Sequence, residues 1–176
     1  MTLTPPFDGA LRARFESMLA RMEPSLRRVA ASYAREAADR EDTLQEVALA
    51  LWRALPDFRG DCSERTFVFR VAHNVALAAA LRRRAISQRT GSDEVVATLA
   101  DARPDPEARL DAARRKERLF EAIRALPVTH RQPLTLALEG LSHEEIGAVL
   151  GITSNNVTVR LHRARAALRE LLGETP

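Results

Sequence analysis

The side chains in this sequence that could do chemistry are arranged for recognition rather than for making or breaking bonds. Four histidines, His73, His130, His143 and His162, are scattered along the chain. His143-Glu144-Glu145 lacks the second histidine that a helix-borne zinc site needs, and there is no glycine-rich phosphate loop. Cys62 is the sole cysteine, so neither a disulfide nor a thiolate metal cluster can form within one chain. Its loop could make it redox-sensitive, but an incidental thiol is the simpler reading. No catalytic activity, metal or cofactor is expected. What does cluster is Arg and Asn interleaved with aromatics: Arg65, Phe67, Phe69, Arg70, His73 and Asn74, followed by Arg82, Arg83 and Arg84. A second polar set, Asn155, Thr158, Val159, Arg160, His162 and Arg163, lies near the C-terminal end. Guanidinium and amide donors hold phosphates and base edges, and aromatic faces stack on unpaired bases. A third cluster has the opposite sign: Asp39, Glu41, Asp42, Gln45 and Glu46.

The distribution of charge supports two contacts with a polyanion. The 176-residue chain carries a formal net charge of only +3. Residues 82–89 hold four arginines and no acid, whereas residues 93–111 hold six acids against Arg103 and Arg109. Residues 153–172 are basic again, with Arg160, Arg163, Arg165 and Arg169 against Glu170. Two basic blocks separated by an acidic one imply two modules, each with a basic face.

The elements that must position these residues are helical. Leu, Ala, Arg and Glu abound, aromatics make up 5%, and no alternating strand pattern occurs. The expected fold is all-α: two small helical domains joined by an acidic flexible linker, the C-terminal one a helix-turn-helix. In the first domain, residues 9–87, apolar spacing predicts helices over about 9–22 and 24–36, meeting at Pro24. A third helix, about 39–55, is capped by Asp39 and carries Leu44, Val47, Leu51 and Leu55 inward, leaving Asp42, Gln45, Glu46 and Arg53 outside. On composition alone that polar side is a solvated face, with an acidic docking surface as the alternative. After a loop at 57–62, Ser63 caps a helix over about 64–87. Phe67, Val71, Val75 and Ala78 are expected to face inward, with Arg70, His73 and Asn74 on another face. At least one of Phe67 and Phe69 is expected simply to fill core.

Residues 88–107 lose helical periodicity and read as the linker. In the second domain, residues 108–173, a helix runs to Leu126 and a short one is capped by Thr129. Ser142-His143-Glu144-Glu145 is a capping box. Gly147 sits mid-helix where a close approach demands a small residue, and Gly151 makes the turn. Val157, Leu161, Ala164, Leu168 and Leu171 are the inner face of the last helix. Its outer face holds Asn155, Thr158, Val159, His162, Arg163 and Arg169, as in a helix that enters a DNA groove.

Taken together, three ordered motifs resemble the extracytoplasmic-function (ECF) group of bacterial sigma factors. They are Asp39-Arg40-Glu41-Asp42-Thr43-Leu44-Gln45-Glu46, then Phe58-Arg59-Gly60-Asp61 with Arg65 to Asn74, and then Leu126-Pro127, Glu139-Gly140-Leu141-Ser142 and Arg160 to Arg165. The resemblance covers nearly the whole chain. It implies that Asp42, Gln45 and Glu46 dock on the clamp helices of the largest subunit of core RNA polymerase. It implies that Asp61, Arg65, Phe69, Arg70, Asn74, Arg82 and Arg83 bind the minus-ten element of promoter DNA, with flipped bases held on the non-template strand. Asn155, Thr158, Val159, Arg160, His162 and Arg163 would read the minus-thirty-five element as duplex. The linker would thread towards the polymerase active site and RNA exit path. An anti-sigma factor is a family expectation, as is a monomeric active form. Phe67 stands where Trp is common and His73 where Arg is common, and Thr158 and Val159 are short and uncharged, which puts the promoter sequence in doubt.

An ordinary helix-turn-helix repressor or activator, with residues 9–87 as a sensing or dimerising domain, remains open at this point. It leaves the acidic helix and the Arg-Asn-aromatic helix without a role. No signal-peptide pattern and no apolar run of membrane-spanning length occur, so a cytoplasmic protein without membrane insertion is expected.

Overall fold

A computed structural model describes residues 9–90 and 107–173. Those residues form seven α-helices and no strand: α1 (Gly9–Tyr33), α2 (Ala37–Ala54), α3 (Glu64–Thr90), α4 (Glu107–Ala125), α5 (Val128–Leu138), α6 (His143–Leu150) and α7 (Ser154–Leu172). A 3-10 turn, Leu55–Asp57, follows α2. The acidic linker expected at 88–107 falls mostly outside the described residues. Its first residues, up to Thr90, instead continue α3, and Glu107 begins α4.

The first unit is α1 to α3. Contrary to the sequence expectation, α1 is one helix with Pro24 inside it. A proline in a helix interior costs about 3 kcal/mol, through a lost hydrogen bond and a clash with the preceding turn. Burial offsets that here, because Met18, Leu26, Val29 and Tyr33 form one inward stripe across the proline. Helix α2 starts one turn earlier than Asp39 predicts. Glu36 is its N-cap, without a side-chain capping bond, and Asp39 lies in the first turn. Val47, Leu51 and Leu55 fill the core.

Helix α3 is rotated relative to the sequence expectation. Its buried residues are Thr66, Val68, Phe69, Ala72, His73, Ala76 and Ala79, whereas Phe67, Val71 and Val75 are half-buried and Ala78 is exposed. The helix packs against α1, α2 and α6. Its small residues let those neighbours approach, and alanine gives little signal in a hydrophobic pattern. Ser63 caps it as expected, its Oγ accepting from the Thr66 amide at 3.0 Å. Phe58 of the loop and Phe67 of α3 stack with ring centres 4.5 Å apart.

The second unit is α4 to α7. Pro127, not Thr129, is the N-cap of α5. The capping box at α6 is complete: the Glu145 amide donates to Ser142 Oγ (3.2 Å) and the Ser142 amide to Glu145 Oε2 (2.8 Å). Gly151, with φ of 68°, ends α6 in the left-handed conformation, and Thr153 caps α7. Val157, Leu161 and Ala164 of α7 are buried and Leu168 is half-buried, but Leu171 is exposed, so the inner face does not extend to the last turn.

The requirement for a small residue at 147 has a specific cause. A Cβ on Gly147 would lie 2.6 Å from the backbone carbonyl oxygen of Ile152. Gly147→Ala should therefore destabilise the chain by about 1–3 kcal/mol, although alanine in a helix ordinarily gains up to about 1 kcal/mol over glycine. Urea denaturation measures this directly. A stabilised variant would show that the turn moves freely.

The two units pack on one another. Helix α1 meets α4 and α5, and α3 meets α6. Glu139, at the end of α5, accepts from Arg28 Nε and Nη2 on its two carboxylate oxygens, at 2.6 Å each. Arg35 pairs with Glu121 at 2.7 Å, Arg40 with Glu117 at 3.2 Å, and Arg124 donates to the Ala31 carbonyl at 3.0 Å. The Arg131 guanidinium lies 5.5 Å from the Tyr33 ring centre.

Candidate nucleic-acid interface

Three surfaces carry the residues singled out by type and spacing. The first is the outer side of α2. Asp42, Gln45 and Glu46 are all exposed, separated by three- and one-residue steps that put them on one helix face. Leu49 belongs to the same face and is 48% exposed, a residue that sequence reasoning missed. The signal was its position, four residues after Gln45 and three after Glu46. An exposed leucine beside acids and Arg53 gives this face an apolar centre with a charged rim, the usual anatomy of a protein contact.

The second surface is α3. Arg70 and Asn74 are exposed one turn apart, and the exposed Arg82, two turns further on, is rotated towards α2, so the three make a stripe that winds around the helix rather than a single face. Asp61 is exposed in the loop before it, next to Gly60, whose φ is +82°. Between α2 and α3 runs a shallow groove with Leu49, Ala50, Val75 and Ala78 along it. Glu46 and Arg82 bridge it with a 2.5 Å ion pair, and Asn74 lines it as well. Both members of that pair are about half exposed, so the bridge contributes little stability and is easily exchanged for other partners.

Two residues expected on this surface are not there. Phe69 is wholly buried and packs among the core residues, so its ring offers no face to a base. Arg83 is half-buried and spends its donors internally, on Thr43 Oγ1 and the Tyr33 carbonyl at 3.4 Å each, with Asp39 3.5 Å away. It ties α3 to α1 and α2. The reason in both cases is the rotation of α3, which turns these positions towards its neighbours. Arg65 is exposed, but its guanidinium reaches the Glu139 carbonyl and sits 5.7 Å from the Phe69 ring centre. Arg70 donates to the Ala148 carbonyl at 2.9 Å.

His73, expected on the polar face with Arg70 and Asn74, is only 1% exposed. Its Nδ1 lies 3.1 Å from the Tyr33 hydroxyl, while its Nε2 has no hydrogen-bond partner. Burial pushes its pKa down to about 4. It is a neutral core residue, and burial likewise raises the pKa of the Tyr33 phenol.

The third surface is the outer face of α7. Asn155, Thr158, Val159, His162 and Arg163 are exposed, and Arg160 is half-buried, its Nε donating to Asn156 Oδ1 at 2.9 Å. The Thr158 hydroxyl lies 3.1 Å from the Ser154 carbonyl, to which it donates, and 3.0 Å from His143 Nδ1. A hydroxyl that donates to Ser154 can only accept from His143, so Nδ1 carries the proton in this arrangement. That occupies the hydroxyl and leaves the Thr158 methyl, beside Val159, as the apolar part of the outer face. His143 and Asn156 are therefore further members of this surface. Their signal was their place at the starts of the two helices around the turn. The whole arrangement can bind a groove and backbone but holds no set of groups for covalent chemistry. Among the described residues, no group of three or more His, Cys, Asp or Glu could hold a metal ion.

Two family descriptions match separate parts of the chain. The family description Sigma-70 region 2 matches residues 18–86, and Sigma-70, region 4 matches residues 116–168. The chain is 36% identical over 168 residues to the RNA polymerase sigma factor CarQ of Myxococcus xanthus, covering 95% of this chain and 93% of that protein. It is 32% identical over 140 residues to the ECF RNA polymerase sigma-E factor of Escherichia coli, covering 74% and 72%. The chain belongs to the ECF group of bacterial sigma factors. As a sigma factor it is a non-enzymatic transcription initiation factor. Among solved structures, this sigma factor resembles CnrH in complex with the cytosolic domain of CnrY, with a TM-score of 0.68, 29% identity, and coverage of 94% of this chain and 91% of that one. The region 2 match runs from the middle of α1 to near the end of α3 and the region 4 match from within α4 to within α7, so the Arg-Asn stripe and the helix-turn-helix lie in different regions. No helix among the described residues is long and apolar enough to cross a membrane.

Proposed function

We propose that this sigma factor binds core RNA polymerase through α2, holds the opened minus-ten element of a promoter along α3, and reads the minus-thirty-five element as duplex with α7. The observation that carries the reading is the α2–α3 groove, where Glu46 and Arg53 of α2 face Asn74 and Arg82 of α3; Asp42 and Gln45 are exposed further along α2 and Arg70 further along α3. An ordinary repressor needs no such pairing of an acidic docking face with a single-strand face. The clamp helices of the largest subunit are the proposed partner of α2, with Leu49 at the centre of the contact and the charges around it. Asp61, Arg65, Arg70, Asn74 and Arg82 are the proposed minus-ten contacts. Phe69 and Arg83 support that surface from behind. On α7, Asn155, Arg160, His162 and Arg163 supply polar and charged contacts, and the methyl groups of Thr158 and Val159 suit the C5-methyl of thymine in the major groove. The protein acts as a cytoplasmic monomer, and an anti-sigma factor controls it. The capture of CnrH by a protein domain supports that last part.

The test is equilibrium binding to purified core polymerase. Asp42→Ala with Glu46→Ala should weaken binding about tenfold or more while leaving the helical spectrum and unfolding curve unchanged, because both residues are exposed. Unchanged affinity would remove α2 from the contact. A second expected result concerns duplex DNA. Arg163→Ala should weaken holoenzyme binding to the upstream element and lower the slope of log K against log salt by about one, as for one lost phosphate contact. An identical slope would show that Arg163 does not reach the backbone.

A further inference from the structure

We infer that Glu139 is a latch that holds the free sigma factor closed, with its minus-ten surface occupied by its own region 4. The inference rests on the reading of Arg65 and Arg70 as single-strand contacts. Both side chains leave α3 and donate to backbone carbonyls of the second unit: Arg65 to Glu139 and Arg70 to Ala148 on the first helix of the helix-turn-helix. In the closed form the Nη2 of each guanidinium is given to a carbonyl of region 4, and only its remaining N–H groups are left for a phosphate. Closed packing and strand binding therefore compete for the same groups. Asn74 and Arg82, further along the stripe, are outside this competition.

Glu139 is the pivot because it joins both halves of the contact. Its carbonyl takes Arg65, and its carboxylate takes Arg28 of α1 in a bidentate pair. That carboxylate side chain is only 3% exposed, in contrast to the surface ion pairs that surround it. A buried carboxylate needs its partner, since without one it faces an apolar surrounding with its charge uncompensated. The pairs Arg35–Glu121 and Arg40–Glu117 extend the same interface but are much more exposed. Opening the two units replaces the Arg28 pair with water on both sides and frees Arg65 and Arg70 together. Binding of the polymerase to the α2 face, or of a strand to the freed arginines, then favours the open form by mass action.

The experiment uses the full chain without polymerase. Small-angle scattering gives the radius of gyration, and fluorescence anisotropy gives the affinity for a labelled pool of random-sequence single-stranded DNA twelve-mers. The variants are Arg28→Glu, Glu139→Arg, and the two combined, which restores the pair with its charges exchanged. The wild-type chain should have a radius near the roughly 16 Å of a compact chain this long. Each single variant should expand by several ångströms at unchanged helix content by circular dichroism and bind the DNA about tenfold more tightly, within the usual range of coupling between sites. The combined variant should return to the wild-type radius and affinity. Single variants as compact as the wild type would overturn the latch, as would expansion that the charge exchange fails to reverse. Expansion without tighter binding would overturn the competition. In that case Arg65→Ala with Arg70→Ala, added to Arg28→Glu, separates the causes: weaker DNA binding keeps those residues as contacts, and unchanged binding removes them. Loss of helix content in a single variant with recovery in the combined one would place the pair in folding rather than gating and would also overturn the proposal.

Discussion

Replacing Phe69 with alanine should cost about 3–5 kcal/mol of stability, the range for deleting a large buried ring. Phe69 has no exposed surface and lies within the core cluster that runs from α1 through α3, so its removal leaves a cavity that its neighbours can only partly close. A ring presented to DNA would give the opposite pattern. An exposed phenylalanine on α3 would lose at most about 0.5 kcal/mol on truncation and its effect would fall on strand binding. Since small proteins have only about 5–15 kcal/mol of total stability, the two outcomes are far apart in a urea titration. Phe69→Leu, which keeps most of the volume, should retain both fold and DNA binding if the ring is only core. A full-strength fold with lost DNA binding in Phe69→Ala would return this residue to the interface.

Acid should destabilise the sigma factor well before its carboxylates titrate, and His73 should be the cause. The folded protein holds His73 neutral down to about pH 4, because protonation would place a charge in a buried site whose Nε2 has no partner. The unfolded chain takes up that proton near pH 6.5. Between these values the unfolded state binds more protons, so stability falls as pH falls and is fully present above about pH 6.5. A shift of this size corresponds to about 2 kcal/mol lost between pH 7.5 and pH 5. Glu117 moves in the other direction of charge: pairing with Arg124 and Arg40 outweighs its desolvation and lowers its pKa, so its contribution is present above the normal carboxylate range and is lost only at lower pH. His73→Leu should lose some stability at pH 7.5, through the hydrogen bond to Tyr33, but should flatten the profile from pH 7.5 to 5. A variant with the wild-type slope would assign the proton uptake to another group.

The parts of this fold legible from sequence are those with local causes. The capping box at Ser142, the left-handed turn at Gly151 and the outer face of α7 each follow from residues within one or two helical turns. The exposed acidic side of α2 was legible for the same reason, although its significance came from resemblance rather than from composition. What failed was whatever depended on several neighbours at once. Helix α3 is covered on more than one side, and its alanines form as much of its buried face as its large residues do. A single apolar stripe was the wrong template, and with it went the placements of Phe69, His73 and Arg83. Pro24 reads as a break because its local cost is visible in sequence and the tertiary burial that offsets it is not. The Arg28–Glu139 pair joins residues 111 apart and has no local signature at all.

Run-off transcription with purified core polymerase on a pool of genomic promoter fragments decides whether the chain directs promoter-specific initiation. The chain should produce discrete start sites, absent with core polymerase alone, whose upstream sequences share two elements at a fixed spacing. Arg163→Ala should weaken dependence on the upstream element, and Arg70→Ala with Asn74→Ala should prevent opening of the downstream one. A chain that binds duplex DNA as a dimer and yields no polymerase-dependent start would contradict the account.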